Sequence, residues 1–252
     1  MKNIFITGGT SGIGWELAKL YLKEGHRVGV CGRDLSKLPE EAKSFEKLFT
    51  YEVSVTDAPK LREYIELFGK EGLDILIANA GVSHGSKSQW PDEERTRVVL
   101  ETNLQGALNA FFPAMEIFKV QKRGHLVGIA SVAGFVGLPG ASAYSASKGA
   151  LIKLCETFAI DLPKYGIHTT TICPGFIDTP LTRKNDHPMP FLISGTEGAL
   201  RIKRAIDNKK VMHVFPKRMA LIMHILLRLP RSLYRFIMKL PVANYSKREV
   251  AK

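Results

Sequence analysis

The first thirty or so residues constrain the fold of this chain more than any other stretch. Ile4-Phe5-Ile6 is the short apolar run that a buried strand requires. It runs into Thr7-Gly8-Gly9-Thr10-Ser11-Gly12-Ile13-Gly14. A helical pattern follows, with Ile13, Leu17, Leu20 and Tyr21 on one side, and it stops at Gly25. Residues 27–31 then alternate Val28 and Val30 as a second strand. Strand, glycine turn, helix and strand at this spacing make a βαβ unit. Glycines let the backbone approach a pyrophosphate, and a helix N-terminus favours its negative charge. The spacing is Gly8-x-x-x-Gly12-x-Gly14. It therefore misses the general Gly-x-Gly-x-x-Gly fingerprint as written, and a plain glycine turn is the alternative.

Three further strand-like runs, the first of them apolar, end in conspicuous residues. Residues 73–78 lead to Asn79-Ala80-Gly81, 125–130 to Ser131, and 168–173 to Pro174-Gly175. In open α/β sheets the ligand binds outside the carboxyl ends of the strands, where all three would fall. Downstream lies Tyr144-Ser145-Ala146-Ser147-Lys148, thirteen residues after Ser131. Tyrosine is a poor acid or base near neutrality, its pKa being about 10. A lysine four residues on shares its helix face, and a positive charge there favours the phenolate. Tyr144 thus becomes a candidate general acid/base, with Ser131 as a hydroxyl that could hold a substrate oxygen beside it. The pair alone is weak, since such spacings are common on solvated helix faces.

Thr-Gly-x-x-x-Gly-Ile-Gly, Asn79-Ala80-Gly81, Asn103, Ser131, Tyr144/Lys148 and Pro174-Gly175 stand in an order and spacing that resembles the short-chain dehydrogenase/reductase family. The resemblance covers about residues 3–180. It implies a doubly wound parallel sheet (a Rossmann fold), a bound nicotinamide cofactor, and interconversion of a carbonyl and an alcohol. Tyr144 would exchange a proton with the substrate oxygen, Ser131 would hydrogen-bond that oxygen, and Lys148 would hold the nicotinamide ribose and lower the Tyr144 pKa. Asn103 is similar to the asparagine that positions a relay water; a helix cap or kink is the alternative. The cofactor contacts it implies are Thr7, Gly8, Ser11, Gly12, Ile13 and Gly14, then Asn79, Ala80 and Gly81, then Pro174, Gly175, Ile177 and Thr179. Thr179 could instead begin a turn.

NADP is expected over NAD. An acidic residue near the end of the second strand would bind the ribose hydroxyls of NAD. Here the stretch is Cys31-Gly32-Arg33-Asp34, and Arg33 can pair with a 2′-phosphate. Asp34 pulls the other way, because it could face the ribose or neutralise Arg33. Ser54 stands where the family usually has an aspartate against the adenine, and Asp57 reads as a helix cap before Pro59. An NAD-dependent enzyme of the same family, or a catalytically silent nucleotide-binding protein, are the rival readings.

Residues 1–200 are read as the catalytic domain, with 176–194 as a proline-rich lid whose Met189, Phe191, Leu192 and Ile193 suit an apolar substrate. An ordinary surface loop is the alternative. Ser194-Gly195-Thr196-Glu197 has the form of a capping box. The formal charge of +12 is uneven: residues 1–200 hold 22 Lys/Arg against 22 Asp/Glu, residues 201–252 hold 14 against 2. Residues 219–229 are apolar but too short to cross a bilayer, which needs about 20 residues. After Pro230, Arg231, Arg235 and Lys239 share one helix face and Leu233, Phe236, Ile237 and Leu240 another. Residues 217–240 therefore suit a peripheral membrane contact, or packing on the core or across a homo-oligomer interface. No nucleic-acid motif or aromatic interleaving accompanies the charge. The start runs straight into a strand without a signal peptide, and a cytoplasmic location is expected. Cys31, Cys155 and Cys173 lack metal-ligand spacing, the seven histidines form no ligand pair, and no metal is expected.

Overall fold

The computed structural model describes residues 1–84, 90–185 and 188–240. Asp186 and His187 of the expected lid, and residues 241–252 of the extension, lie outside the described residues. The elements in chain order are β1 (Asn3–Thr7), α1 (Gly12–Lys23), β2 (Arg27–Gly32), β3 (Leu48–Glu52), α2 (Ala58–Phe68), β4 (Ile75–Ala78), α3 (Glu93–Leu100), α4 (Gly106–Gln121), β5 (Gly124–Ile129), α5 (Ser142–Asp161), β6 (Ile167–Pro174), α6 (Gly195–Asp207), β7 (Met212–Phe215), α7 (Lys217–Arg228) and α8 (Arg231–Lys239). The seven strands form one parallel sheet in the order β3-β2-β1-β4-β5-β6-β7.

The strand order reverses between β1 and β4. That opens a crevice at their carboxyl ends, the position where ligands bind in doubly wound sheets. Apolar strands covered on both faces explain why β1, β4 and β5 read as unbroken hydrophobic runs. One face buries Leu61, Ile65, Phe111, Phe118 and Leu151 from α2, α4 and α5. The other buries Leu17, Tyr21, Ile202 and Ile206 from α1 and α6. A third apolar cluster joins Val132 and Val136, just after β5, to Met219, Met223 and Tyr234 of α7 and α8.

Local signals place several ends. The Asp57 side chain accepts from Lys60 N at 3.2 Å and starts α2, as its cap reading requires. Ser194 Oγ accepts from Glu197 N at 3.2 Å, which is half of a capping box. The other half is missing, because the Glu197 carboxylate takes Arg201 at 2.6 Å. The boundary drawn at residue 200 falls inside α6, and the sheet continues through β7. Among the described residues, it is 217–240 that lies outside that layer structure.

Candidate active site

The glycine turn after β1 is shaped by close approach. Gly8 and Gly12 adopt φ of +62° and +57°, the left-handed region that favours glycine. A Cβ at Gly8 would fall 2.7 Å from Ala80 Cα, and one at Gly14 would fall 2.3 Å from the Gly8 carbonyl oxygen. The Thr7 hydroxyl accepts from the backbone N–H groups of Asn79 and Ala80, each at 3.1 Å. The Asn79 amide donates to the carbonyls of Thr7 and Gly8, each at 3.0 Å. Asn79 and Ala80 thus brace the turn from the neighbouring strand. Ser11 occupies the N-cap of α1, yet its side chain caps nothing, and the first turn carries no acidic residue. Those free donors and the helix dipole suit a pyrophosphate, so the cradle fits a dinucleotide. Ile13 follows in the same first turn.

The segment after β6 returns to this cradle. Thr179 is buried, and its Cβ lies 3.6 Å from where a Gly12 Cβ would stand. Thr182 holds the loop: its hydroxyl donates to the Ile177 carbonyl at 2.6 Å and lies 3.2 Å from Thr179 Oγ1. Gly175 N donates to Phe215 O at 2.7 Å, which fixes the Pro174-Gly175 exit from β6 against β7.

At the end of β2, Arg33 is exposed and has no carboxylate partner among the described residues. Asp34 is occupied elsewhere. It accepts from Ser36 N at 3.0 Å and Ser36 Oγ at 2.5 Å, and it sits 3.5 Å from Lys37. The Ser36 hydrogen bonds, with Lys37 behind them, hold its carboxyl below the usual range. Asp34 therefore caps a short turn and does not neutralise Arg33. The Ser54 hydroxyl is engaged with Thr56 Oγ1 at 2.8 Å, within its own turn.

Tyr144 and Lys148 lie one turn apart on α5, with the ammonium 5.9 Å from the ring centroid. Ser131 follows β5; its hydroxyl accepts from Ala133 N at 3.1 Å and lies 3.5 Å from the Pro174 carbonyl oxygen, and it faces the phenol closely enough to favour the phenolate. Close packing secures that approach, since a Cβ at Gly134 would lie 2.7 Å from the Lys148 carbonyl carbon. Lys148 is buried and donates to the Ile129 carbonyl at 2.8 Å. Gly81 meets the same point: a Cβ there would be 3.3 Å from Asn103 Oδ1 and 3.4 Å from Lys148 Nζ.

The acidity of Tyr144 runs opposite to what its spacing from Lys148 leads one to expect. Burial pushes the phenol above its usual value, with the nearby Ser131 hydroxyl acting against it. Burial also pushes Lys148 down to about 8. Adjacency on the helix is as expected, but desolvation disfavours the charged form of both groups and decides the direction.

Asn103 lies in a π-helical turn, Glu101–Gln105, that joins α3 to α4. Its side chain is pinned to Val82, accepting from its N–H at 2.7 Å and donating to its carbonyl at 2.9 Å. It also donates to Ser147 Oγ at 3.2 Å. Ser147 in turn donates to the Tyr144 carbonyl at 2.9 Å. Sequence reasoning passed over Ser147, though it is fully buried and ties the π turn to the tyrosine's own helix turn. Its position three residues after Tyr144 was the available signal.

A phosphate cradle, with a half-buried tyrosine beside a buried lysine and serine on one sheet crevice, defines a nucleotide-dependent α/β oxidoreductase. Comparison with known proteins agrees. Residues 2–189 match the short chain dehydrogenase family. An uncharacterized oxidoreductase of Myxococcus xanthus is 35% identical over 92% of this chain and 94% of its own length. The 3-oxoacyl-(acyl-carrier-protein) reductase of Thermotoga maritima is 33% identical over 73% of this chain and 77% of its own. The solved structure of ElxO with NADP bound superposes with a TM-score of 0.76 at 28% identity, covering 85% of this chain and 96% of that one. The chain belongs to the short-chain dehydrogenase/reductase family, NAD(P)-dependent oxidoreductases acting on alcohol and carbonyl groups.

Proposed function

We propose that this chain is an NADP(H)-preferring oxidoreductase that interconverts a carbonyl and a secondary alcohol on an apolar, lipid-like substrate. Tyr144 is its acid/base. The observation that carries this reading is the meeting of Asn103, Ser131, Tyr144 and Lys148 beside the glycine cradle.

Thr7, Gly8, Ser11, Gly12, Ile13 and Gly14 would hold the pyrophosphate, and Arg33 the 2′-phosphate. Ser54 would lie toward the adenine, and Ile177 and Thr179 toward the nicotinamide. Bound there, the nicotinamide supplies or accepts the hydride. The protein holds the substrate oxygen and moves its proton. Ser131 and Tyr144 hydrogen-bond the oxygen together. Burial keeps the Tyr144 phenol protonated, which suits it to donate as a carbonyl becomes an alcohol. Lys148 remains largely protonated at neutral pH, its pKa being about 8. One of its three N–H donors goes to Ile129, leaving two for ribose hydroxyls. Asn103 orders the inner end of the relay through Val82 and Ser147.

Support for NADP is Arg33, which has no carboxylate partner among the described residues, beside an occupied Asp34. Support for an apolar substrate is the Phe191 and Leu192 pair on the lid and the cluster of Val136, Leu138 and Phe176 beyond Ser131. A cytoplasmic location accords with three buried, unpaired cysteines. A homo-oligomer accords with Phe112 of α4 and Ile160 of α5, both left exposed. The test is a panel of carbonyl compounds of increasing chain length, followed at the nicotinamide absorbance with NADPH and NADH. Tyr144→Phe should bind NADPH normally and lose about 10²- to 10⁴-fold in turnover. Retained turnover removes Tyr144 from the mechanism, and no turnover on any substrate favours the silent binding protein.

A further inference from the structure

The two C-terminal helices carry more apolar surface than the fold uses. Met219 and Met223 of α7, one turn apart, and Tyr234 of α8 pack onto the turn after Ser131. Tyr234 also donates its hydroxyl to the Gly137 carbonyl. This inner face settles how the extension attaches to the core. It is not the apolar face that the sequence pattern marks out on α8.

On α7, Leu221 is 63% exposed and Ile225, one turn later, is 52% exposed. On α8, Leu233, Phe236 and Leu240 recur at helical spacing and are exposed, Phe236 at 63%. A helix that serves only its core should be polar on the side turned away from it. These helices instead have a second apolar stripe with no intramolecular partner among the described residues.

Cations border that stripe: Lys217, Arg218, Arg228, Arg231, Arg235 and Lys239. No aspartate or glutamate occurs between residues 217 and 240. Among the described residues none of the six pairs with a carboxylate, while Arg218 lies 5.8 Å over the Phe191 ring. That contact joins α7 to the lid, so the outer face is continuous with the segment above the site. No helix of the described residues is long and apolar enough to cross a membrane.

We propose that the outer face of α7 and α8 docks flat on an anionic lipid surface, with the lid turned toward it. Leu221, Ile225, Leu233 and Phe236 enter the acyl boundary and the six cations meet the headgroups. A second copy of the chain is the poorer occupant, because it would bring two unneutralised cationic faces together. The docking rests on the reading of an apolar, lipid-like substrate only for its purpose. Its chemistry stands on the face itself.

Vesicle sedimentation of the full chain tests it. Vesicles of phosphatidylserine and phosphatidylcholine in equal parts should pull the protein down at low salt, and pure phosphatidylcholine should not. Each cation near the surface contributes about fivefold to binding, so Arg231→Gln with Arg235→Gln should weaken it roughly thirtyfold. Ile225→Ser with Phe236→Ser should abolish binding while leaving the thermal midpoint unchanged, since neither side chain touches the core cluster. No sedimentation on the anionic vesicles overturns the proposal, and so does binding that survives both double variants. An oligomer that the Ile225→Ser and Phe236→Ser pair dissociates would assign the face to a second copy instead. An enzyme inactive on every carbonyl would still sediment, so failure of the catalytic reading is told apart from failure of this one.

Discussion

Replacing Lys148 with methionine should stabilise the fold near neutral pH while ending turnover. The ammonium is buried, and its pKa is pushed down to about 8 from 10.5. Each unit is worth about 1.4 kcal/mol, so the charged form costs the native state about 3 kcal/mol. A folded-state pKa below the unfolded one means that the unfolded chain holds the proton more tightly. Wild-type stability is therefore held down below about pH 8 and recovers as the pH rises toward 10.5, where the unfolded chain also releases its proton. Methionine fills similar space and carries no charge. Its one cost is the hydrogen bond to the Ile129 carbonyl, about 1 kcal/mol. The net expectation near pH 7 is a variant more stable by about 2 kcal/mol. Urea unfolding of both proteins near pH 7 and pH 10 should show the gap shifting against the variant by about 2–3 kcal/mol. The hydrogen-bond cost is constant across that range, and other titrating groups cancel between the two proteins. A gap that does not move with pH would mean that the amine has an ordinary pKa, and the reasoning from burial would fail.

Two other substitutions probe the cofactor cradle. Arg33→Asp should raise the NADPH KM roughly ten- to hundredfold, the value of a lost charge-assisted hydrogen bond, and lower the NADH KM; steady-state kinetics unchanged with both cofactors would sink the assignment. Gly14→Ala places a methyl 2.3 Å from the Gly8 carbonyl and 2.6 Å from Asn79 Nδ2. It should cost about 1–3 kcal/mol of stability and weaken NADPH binding by fluorescence titration, and an unshifted thermal midpoint would show that the turn is looser than its contacts imply.

The legible parts of this fold are those whose physics is local. Ile4-Phe5-Ile6, the glycine turn and Val28/Val30 are contiguous, and β1, α1 and β2 form where the pattern puts them. Asp57 and Ser194 cap helices because a cap needs only its next three residues. The strand β7 was not legible. Met212–Phe215 is four residues long with His213 among them, and it becomes a strand only because β6 offers an edge to pair with. The role of Asp34 was equally hidden, since its choice of Ser36 over Arg33 depends on how the chain turns after β2. On α8 the sequence marks an apolar and a basic face, but Tyr234 and Met238 make the core contact from between them.

The site shows the same division more sharply. Spacing alone puts Tyr144 and Lys148 on one face, and it suggests that the charge should acidify the phenol. Spacing does not report how much water either group keeps. With α5 packed onto the turn at Val132–Gly134, both are desolvated, and the neutral form gains in each. The phenol is then kept neutral, as the proposed donor role requires, while the ammonium is retained against its burial by a single backbone carbonyl. A purely structural lysine would have little reason to stay charged in that position when methionine would fit. Its cost in stability is the physical argument for placing it in the chemistry, and ribose hydroxyls that use its two remaining donors would raise its pKa again on binding.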